Sequence, residues 1–214
     1  MRRIVKSEAV VVPGPAGPLE AAIDSADTPA RAIAVVCHPH PLQQGTMHNK
    51  VVTTVARAFA QLGARVLRFN FRGVGASEGR YAEGVGERAD ALAAIAWARN
   101  HWPGLELFLG GFSFGAAIAL NVAAESRPIG LVTVAPPLDR LRADFVPPDC
   151  PWLLIHGDAD DVVPFAATEA RLATLGVQPQ LVAMKGAGHF FHGRLLEVDE
   201  AITSFFGPRF GAAS

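Results

Sequence analysis

The sequence predicts an α/β fold in which helices cover both faces of a mostly parallel sheet. Two observations support this prediction. Short apolar runs alternate with stretches of helical periodicity, as in repeated β–α units. Those apolar runs are short and interrupted by Gly and Pro, which is typical of strands buried on both faces. With 214 residues, half of them hydrophobic, the chain is long enough to bury a large core. We expect one domain spanning residues 1–214.

The first half of the chain predicts an antiparallel edge followed by alternating elements. Residues 9–12 and 19–23 are expected to form short strands joined by a loop rich in Pro and Gly, residues 12–18. A buried strand follows at 32–37. Residues 49–62 form a helix, because their apolar positions lie on one face, and Gly63 ends it. A strand at 64–69 and a helix at 87–100 come next.

The second half continues the alternation around a central turn. We expect strands at 105–110, 130–135, 152–156 and 180–184, and helices at 113–125, 165–175 and 195–206. Pro164 lies at or near the first turn of its helix, where proline is favoured because no hydrogen bond is lost. In parallel sheets of this kind the chemistry is found at the carboxyl ends of the strands.

Composition excludes several classes of function. The net charge of −1 argues against a nucleic-acid surface, which requires a basic excess. No apolar stretch is long enough to span a bilayer, and Arg2 and Arg3 are not followed by the apolar region of a secretory signal. The two cysteines, Cys37 and Cys150, suggest free thiols in a reducing compartment. We therefore expect a cytoplasmic protein, and the sequence leaves monomer and dimer open.

The most informative motif is G-x-S-x-G at Gly111–Gly115, between a predicted strand and a predicted helix. A serine at such a turn projects its hydroxyl into a cleft, and glycines two residues before and after allow two backbone segments to approach. The pattern also fits a simple glycine-rich turn. Its context favours Ser113 as a nucleophile.

A serine nucleophile needs a base and an acid that orients the base. Three carboxylates, Asp158, Asp160 and Asp161, follow the strand at 152–156. We expect Asp160 to be the orienting acid, with Asp158 as the alternative and Asp161 as a helix cap. Turn and capping roles for all three remain open, because Asp is favoured in turns.

The base is expected on the loop after the last strand. His189 follows Gly188 there and is the leading candidate. His192, three residues later, is the alternative, and we expect it to have a structural role.

The loop after residues 32–37 is expected to complete an oxyanion hole. One N–H donor should come from Phe114, the residue after the nucleophile. The other should come from His40, with Leu42 as second choice, because Pro39 and Pro41 carry no N–H.

A metal site built from His38, His40 and His48 is the alternative function for this loop. No Cys or Asp nearby completes a familiar zinc spacing, so we expect no metal. His38 or His48 is then a hydrogen-bonded histidine that shapes the loop.

A glycine-containing segment, residues 68–79, superficially suggests a dinucleotide fingerprint. Its G-x-G does not open directly into a helix, and its third glycine is misplaced. We expect a structural turn whose Arg72 braces the loops beside the site.

Taken together, these motifs resemble the α/β-hydrolase superfamily over nearly the whole chain. G-F-S-F-G at 111–115, F-N-F-R-G-V-G-x-S at 69–77, H-G-D-A-D at 156–160 and G-H-F-F-H at 188–192 occur in the expected order. The H-P-H-P-L-x-x-G-T-M-H-N-K segment, 38–50, is similar to small bacterial members related to dienelactone hydrolases and carboxylesterases. The resemblance implies an α/β-hydrolase fold and a triad of Ser113, Asp160 and His189.

The resemblance has two informative departures. The segment between the strands at 130–135 and 152–156 is too short for the lid domain that many members insert there. Dienelactone hydrolases use a cysteine nucleophile, whereas this motif carries Ser113, so their substrate is not transferred.

The sequence therefore predicts a serine hydrolase that cleaves a small carboxylic ester or thioester through an acyl-serine intermediate, without a cofactor. An apolar acyl pocket is expected from Leu42, Met47, Phe112 and Phe190. Two alternatives remain. One is a non-catalytic binding module of the same fold, and the other is an acyltransferase or peptidase on that fold, because fold does not determine the reaction.

Overall fold

Strands and helices alternate along the computed structural model, which describes residues 3–211. The strands are β1 (Val5–Gly14), β2 (Gly17–Ala26), β3 (Ala32–Cys37), β4 (Ala64–Phe69), β5 (Leu107–Phe112), β6 (Gly130–Val134), β7 (Trp152–Gly157) and β8 (Gln180–Met184). The helices are α1 (Lys50–Leu62), α2 (Val85–His101), α3 (Phe114–Ser126), α4 (Phe165–Leu175) and α5 (Leu195–Gly211). Two short 3-10 helices lie at Pro41–Gln43 and Leu138–Arg140.

All eight strands form one sheet in the order β1-β2-β4-β3-β5-β6-β7-β8. β1 pairs with β2, and β2 with β4, in antiparallel register. From β4 to β8 every pairing is parallel. The predicted fold class is confirmed, including the antiparallel amino-terminal edge.

Two buried apolar clusters lie on the two faces of the sheet. One contains residues of α2 and α3 packed on inward side chains such as Val35 and Leu109. The other contains residues of α1 and α5 packed on the opposite face, around Phe59 and Phe206. Every residue of β3 and β5 is buried, as expected for central strands of a sheet covered on both sides.

Four element predictions match the structure at both ends: β3, β4, α4 and β8. Gly63 is confirmed as the end of α1, in the left-handed region at φ 105°. The predicted hairpin exists, but β1 and β2 are longer than predicted and pair continuously from Val5↔Ala26 to Gly14↔Gly17. The prediction was short because much of β1 is exposed, so its ends carry polar residues and show little hydrophobic alternation.

The prediction for β5 was shifted toward the amino terminus. The strand runs to Phe112, because Gly110 and Gly111 pair with β3 on one side and β6 on the other. A glycine pair suggests a turn, but here it lets helices pack closely on the strand. The last helix also extends beyond the predicted residue 206, to Gly211.

Among the described residues, no helix is long and apolar enough to cross a membrane. Cys37 and Cys150 are both free thiols, as expected. Burial raises the pKa of the Cys150 thiol to about 11, and the nearby Asp149 carboxylate raises it further.

The turn between β5 and α3 depends on two glycines that permit close backbone contact. A Cβ on Gly111 would overlap the carbonyl oxygen of Gly115, and a Cβ on Gly115 would overlap the carbonyl oxygens of Cys37 and His38. Neither glycine has a positive φ. Both are therefore required for lack of bulk rather than for backbone freedom. The approach brings the end of β3 against the first turn of α3.

We expect Gly115→Ala to destabilise the protein by about 3 kcal/mol, because the added methyl group forces two backbone segments apart. For a chain of this size, this corresponds to a Tm lower by roughly 6–12 °C. Thermal unfolding followed by circular dichroism measures the effect. Gly207→Ala, on α5, is the matched control, since its added Cβ would meet nothing closer than Leu62 at 3.8 Å. Equal Tm values for the two variants would contradict this account of the turn.

Candidate active site

Ser113 lies at the sharp turn between β5 and α3. Its backbone has φ 53° and ψ −123°, a region that non-glycine residues rarely adopt and that typically costs about 1–3 kcal/mol. Backbone hydrogen bonds offset this strain: the Ser113 N–H donates to the Val134 carbonyl at 2.8 Å, and its own carbonyl accepts from Ala116 and Ala117. The turn projects the side chain from the carboxyl end of the sheet.

The structure brings Ser113, His189 and Asp160 into one chain of hydrogen bonds. Nε2 of His189 lies 3.0 Å from Oγ of Ser113, and Nδ1 of the same ring lies 2.7 Å from Oδ2 of Asp160. All three residues are less than one-tenth exposed. The carboxylate accepts a hydrogen bond from Nδ1–H, so Nε2 is left as the acceptor for the serine hydroxyl.

Asp160 is held by the turn that follows β7. Its Oδ1 accepts hydrogen bonds from the Val162 and Val163 N–H groups, which leaves Oδ2 for His189. Burial would by itself raise the pKa of the Asp160 carboxyl. Hydrogen bonds from His156, His189 and the Val163 N–H outweigh burial and hold that pKa well below its usual range. Asp160 is therefore ionised throughout the neutral range.

The other two carboxylates of this turn lie outside the hydrogen-bond chain. Asp158 accepts a hydrogen bond from the Gly186 N–H and links the turn to the loop after β8. The expectation that Asp161 caps α4 was wrong. The N-cap is Pro164, without a side-chain cap, and Asp161 is exposed. The capping prediction failed because Asp160 itself occupies the N–H groups of the turn.

His156 is a buried neighbour of Asp160 that the motif analysis did not single out. Its Nε2–H donates to the Val163 carbonyl at 2.8 Å and lies 3.4 Å from Oδ2 of Asp160. The ring thus supports the same turn that presents the carboxylate. Its position at the end of β7, in the H-G-D-A-D segment, is the sequence signal that identifies it.

His40 and Phe114 face the site from the two sides of the contact between the end of β3 and the first turn of α3. Their rings lie 5.0 Å apart. Within residues 3–211, no hydrogen bond engages the backbone N–H of either residue, so both donors are available. Leu42, the second choice for a donor, is excluded because its N–H donates to Nδ1 of His40 at 3.2 Å.

The side chain of His40 is fixed by two contacts. Because Nδ1 accepts from Leu42, Nε2 carries the proton and donates to the Tyr81 hydroxyl at 3.2 Å. Burial lowers the pKa of His40, and the nearby Arg140 guanidinium lowers it further. The ring is therefore a neutral anchor for the loop.

His38 ties this loop to the segment after β4. The ring is fully buried; Nδ1–H donates to the Pro39 carbonyl at 2.6 Å, and Nε2 accepts from the Phe71 N–H at 3.0 Å. Both ring nitrogens are occupied, so His38 has no lone pair for a metal. His48 is exposed. In the part of the chain that the structure describes, no group of three His, Cys, Asp or Glu side chains is arranged to hold a metal ion.

The segment after β4 is the structural brace that the sequence suggested. Arg68 makes a buried two-point ion pair with Asp24 and donates to the Met47 carbonyl at 2.6 Å. The Asn70 side chain accepts from the Met47 N–H at 2.8 Å. Arg72 forms a two-point ion pair with the buried Asp90. The contacts to Met47 hold the far end of the loop that carries His40, and the Arg72–Asp90 pair ties the segment after β4 to α2.

A cavity of about 670 Å³ opens beside Ser113. None of the four residues expected to form the acyl pocket lines it. Phe112 and Met47 are buried in the protein interior, Leu42 is 71% exposed, and Phe190 is half exposed. Residues adjacent to the motifs point into the core or to solvent here, and the acyl-pocket role of these four residues stays a prediction. His192 is likewise exposed and stacks on Phe190.

The cavity walls come instead from α4 and from the loop after β6. This lining consists of Pro137, Leu138, Asp139, Arg140, Val162, Val163, Pro164, Ala167, Thr168, Ala170, Arg171 and Thr174, together with His40, Gln43, Ser113 and Phe114. Most α4 positions recur at three- and four-residue spacing, so one helix face forms the wall. That periodicity was visible in the sequence, but nothing there indicated which face meets the serine.

The expected absence of a lid domain agrees with the chain between β6 and β7. Among the described residues, segment 135–151 contains one 3-10 helix, Leu138–Arg140, and no other helix or strand. The cavity is therefore bordered by a short loop.

Comparison with known proteins identifies similar chains. A model of the serine aminopeptidase (S33) family matches residues 28–149. XC6422 from Xanthomonas campestris, described as an α/β serine hydrolase without lid, is 42% identical with a TM-score of 0.90, and 95% of each chain is covered. An α/β serine hydrolase homologue from Coxiella burnetii is 44% identical with a TM-score of 0.88, covering 92% of this chain and 96% of that one. An uncharacterized protein from Rickettsia prowazekii is 36% identical over 204 residues, covering 90% of this chain and 85% of that relative.

The buried His38 predicts a pH-dependent stability. Burial lowers its pKa from the usual 6.5 to about 4, although its hydrogen bond to the Pro39 carbonyl opposes the shift. The unfolded chain takes up this proton below about pH 6.5, whereas the folded chain does not. Stability should therefore fall between pH 6.5 and pH 4, by about 3 kcal/mol from this residue.

Urea unfolding at several pH values measures the dependence. His38→Gln should flatten the slope in that window, while the exposed control His48→Gln should retain it. The same slope in His38→Gln as in the wild type would rule out His38 as its source.

Proposed function

Because the chain belongs to the serine aminopeptidase (S33) family and has the fold of a lidless α/β serine hydrolase, we propose that it hydrolyses a small carboxylic ester or thioester. Ser113 is the proposed nucleophile, His189 the general base and Asp160 the orienting acid. The single observation that carries this proposal is the buried hydrogen-bond chain from Ser113 Oγ through His189 to Asp160. We further propose that residues 1–214 act as one catalytic domain.

In the proposed reaction Ser113 Oγ attacks the carbonyl carbon while His189 Nε2 accepts the hydroxyl proton. The resulting imidazolium is stabilised by the Asp160 carboxylate. His189 then returns the proton to the leaving alcohol or thiol, and an acyl-serine remains. A water molecule, activated by the same histidine, attacks the acyl-serine carbonyl and releases the acid.

The N–H groups of Phe114 and His40 are the proposed oxyanion donors. Their freedom from other hydrogen bonds supports this role. The α3 amino terminus at Phe114 adds a partial positive charge where the oxyanion would develop. Losing one donor in a hole of this kind costs about 3–4 kcal/mol of transition-state stabilisation.

The family description favours one second candidate, cleavage of an amino-terminal residue from a peptide. That reaction requires a negative group to receive the substrate ammonium. Asp139 lines the cavity, but Arg140 and Arg171 line it as well, so the fixed charges of these side chains sum to positive. The charge balance therefore favours an ester or thioester over an aminopeptidase substrate.

We expect Ser113→Ala to lose at least about 10⁴-fold in kcat, because the variant has no nucleophile. Hydrolysis of p-nitrophenyl esters from acetate to octanoate, with amino-acid p-nitroanilides in parallel, measures this loss and tests the aminopeptidase alternative. The Tm of the variant should equal or exceed that of the wild type, because its fold is unaffected. Full activity in Ser113→Ala would refute the proposed mechanism. A folded wild type that cleaves none of these substrates would favour the non-catalytic binding module.

Asp160→Asn should lower kcat by roughly 10³–10⁴-fold, because an amide neither orients His189 in the required tautomer nor stabilises its imidazolium. Asp161→Asn is the matched control, since it makes the same carboxylate-to-amide change at a neighbouring exposed residue. It should keep kcat within about twofold. Comparable losses in both variants would assign the effect to the turn rather than to the orienting acid.

A further inference from the structure

Two arginines line the cavity beside Ser113. Arg140 is the exposed last residue of the 3-10 helix in the loop after β6, and Arg171 lies on α4. Among residues 3–211, neither guanidinium lies within ion-pair distance of a carboxylate, whereas Arg68, Arg72, Arg88, Arg142 and Arg194 all do. Arg140 interacts with the neutral Tyr81 hydroxyl, and no protein carboxylate within ion-pair distance neutralises the charge of either cavity arginine.

Arg140 is held close to the catalytic turn by its neighbours. Its Cζ lies 6.0 Å from the centre of the Phe114 ring, within cation–π range, and Phe114 directly follows Ser113. The Coulombic effect of this guanidinium on His40 is a further sign of its proximity. Its charge is therefore placed at the edge of the reacting centre.

Arg171 shares the cavity-facing side of α4 with Thr168, one turn earlier. Thr168 is 2% exposed, and its Oγ1 has no hydrogen-bond partner among the described residues. Buried hydroxyls are normally paired, because an unpaired one loses its hydration without compensation. This hydroxyl oxygen is enclosed in the wall of the cavity and is not open to a bound molecule, so Arg171 is the charged group that α4 contributes to the cavity lining.

We propose that this cavity selects esters whose acyl group ends in a free carboxylate, the half-esters of dicarboxylic acids. Arg140 and Arg171 bind that carboxylate. Guanidinium groups match carboxylates in shape and charge and form charge-assisted hydrogen bonds. This inference rests on the proposed esterase function, and it names the substrate class for the same site.

A carboxylate in the cavity lining limits the negative charge that a bound molecule can carry. Asp139 also lines the cavity, so two guanidiniums face one fixed carboxylate. One substrate carboxylate neutralises the net positive charge of these three side chains. A phosphate, with its greater charge, would meet more repulsion from Asp139, which is the reason for choosing a carboxylate.

The direct test compares monoethyl glutarate with ethyl pentanoate, two esters of equal acyl length that differ in the terminal carboxylate. Initial rates are measured by pH-stat. The wild type should prefer monoethyl glutarate by about tenfold or more in kcat/KM, the size expected for hydrogen bonds to a charged group. Arg140→Gln and Arg171→Gln should each lower that ratio by about tenfold.

Arg142→Gln is the matched control. Arg142 lies two residues after Arg140, is paired with Asp144, and does not line this cavity. It should keep the wild-type ratio. A wild type without preference for the charged ester, or a ratio that survives in both cavity arginine variants, overturns the inference and leaves the esterase proposal standing.

A binding measurement separates the two proposals when turnover is absent. Calorimetric titration of the wild type and of Arg171→Gln with glutarate requires no catalysis. Glutarate binding that is at least tenfold weaker in the variant supports the carboxylate site even if no ester is cleaved, in which case the esterase proposal fails alone. Absence of glutarate binding, or tighter binding of inorganic phosphate, overturns the carboxylate assignment.

Discussion

The site depends on one steric constraint, the contact between the turn after β5 and the carboxyl end of β3. Gly111 lies against the Gly115 carbonyl, and Gly115 lies against the carbonyls of Cys37 and His38. This approach forces Ser113 into its strained backbone conformation and sets Phe114 beside His40. The candidate nucleophile and the candidate oxyanion donors are thus positioned by backbone packing in the rigid centre of the sheet.

Around that constraint the protein uses buried polar contacts to immobilise three loops. His38, Arg68 and Asn70 hold the loop after β3, and the two N–H groups bound by Asp160 hold the loop after β7. The loop after β8 is joined to its neighbour through Asp158. Each loop therefore presents its functional group on a pre-ordered backbone, and little ordering entropy remains to oppose the reaction.

Different elements border the cavity. Because segment 135–151 carries no lid among the described residues, the cavity is bordered by a short loop and one face of α4. Small changes on those two elements would alter substrate preference without affecting the hydrogen-bond chain. In the proposed function, the groups that carry the chemistry and those that select the substrate therefore lie on different parts of the fold, as in other α/β proteins with loop-built sites.

The sequence by itself determined the fold class, the order of the elements and the identity of the three hydrogen-bonded residues. These features rest on local signals: hydrophobic period, turn chemistry, and short motifs at strand ends. The limits of β1, β2 and β5 were missed, because strand pairing extends through polar and glycine residues that lack such a signal. Only the tertiary structure decided the cavity lining. Arg140 and Arg171 line the cavity beside Ser113 through the packing of distant segments, and neither composition nor spacing records which face of a helix turns toward a site.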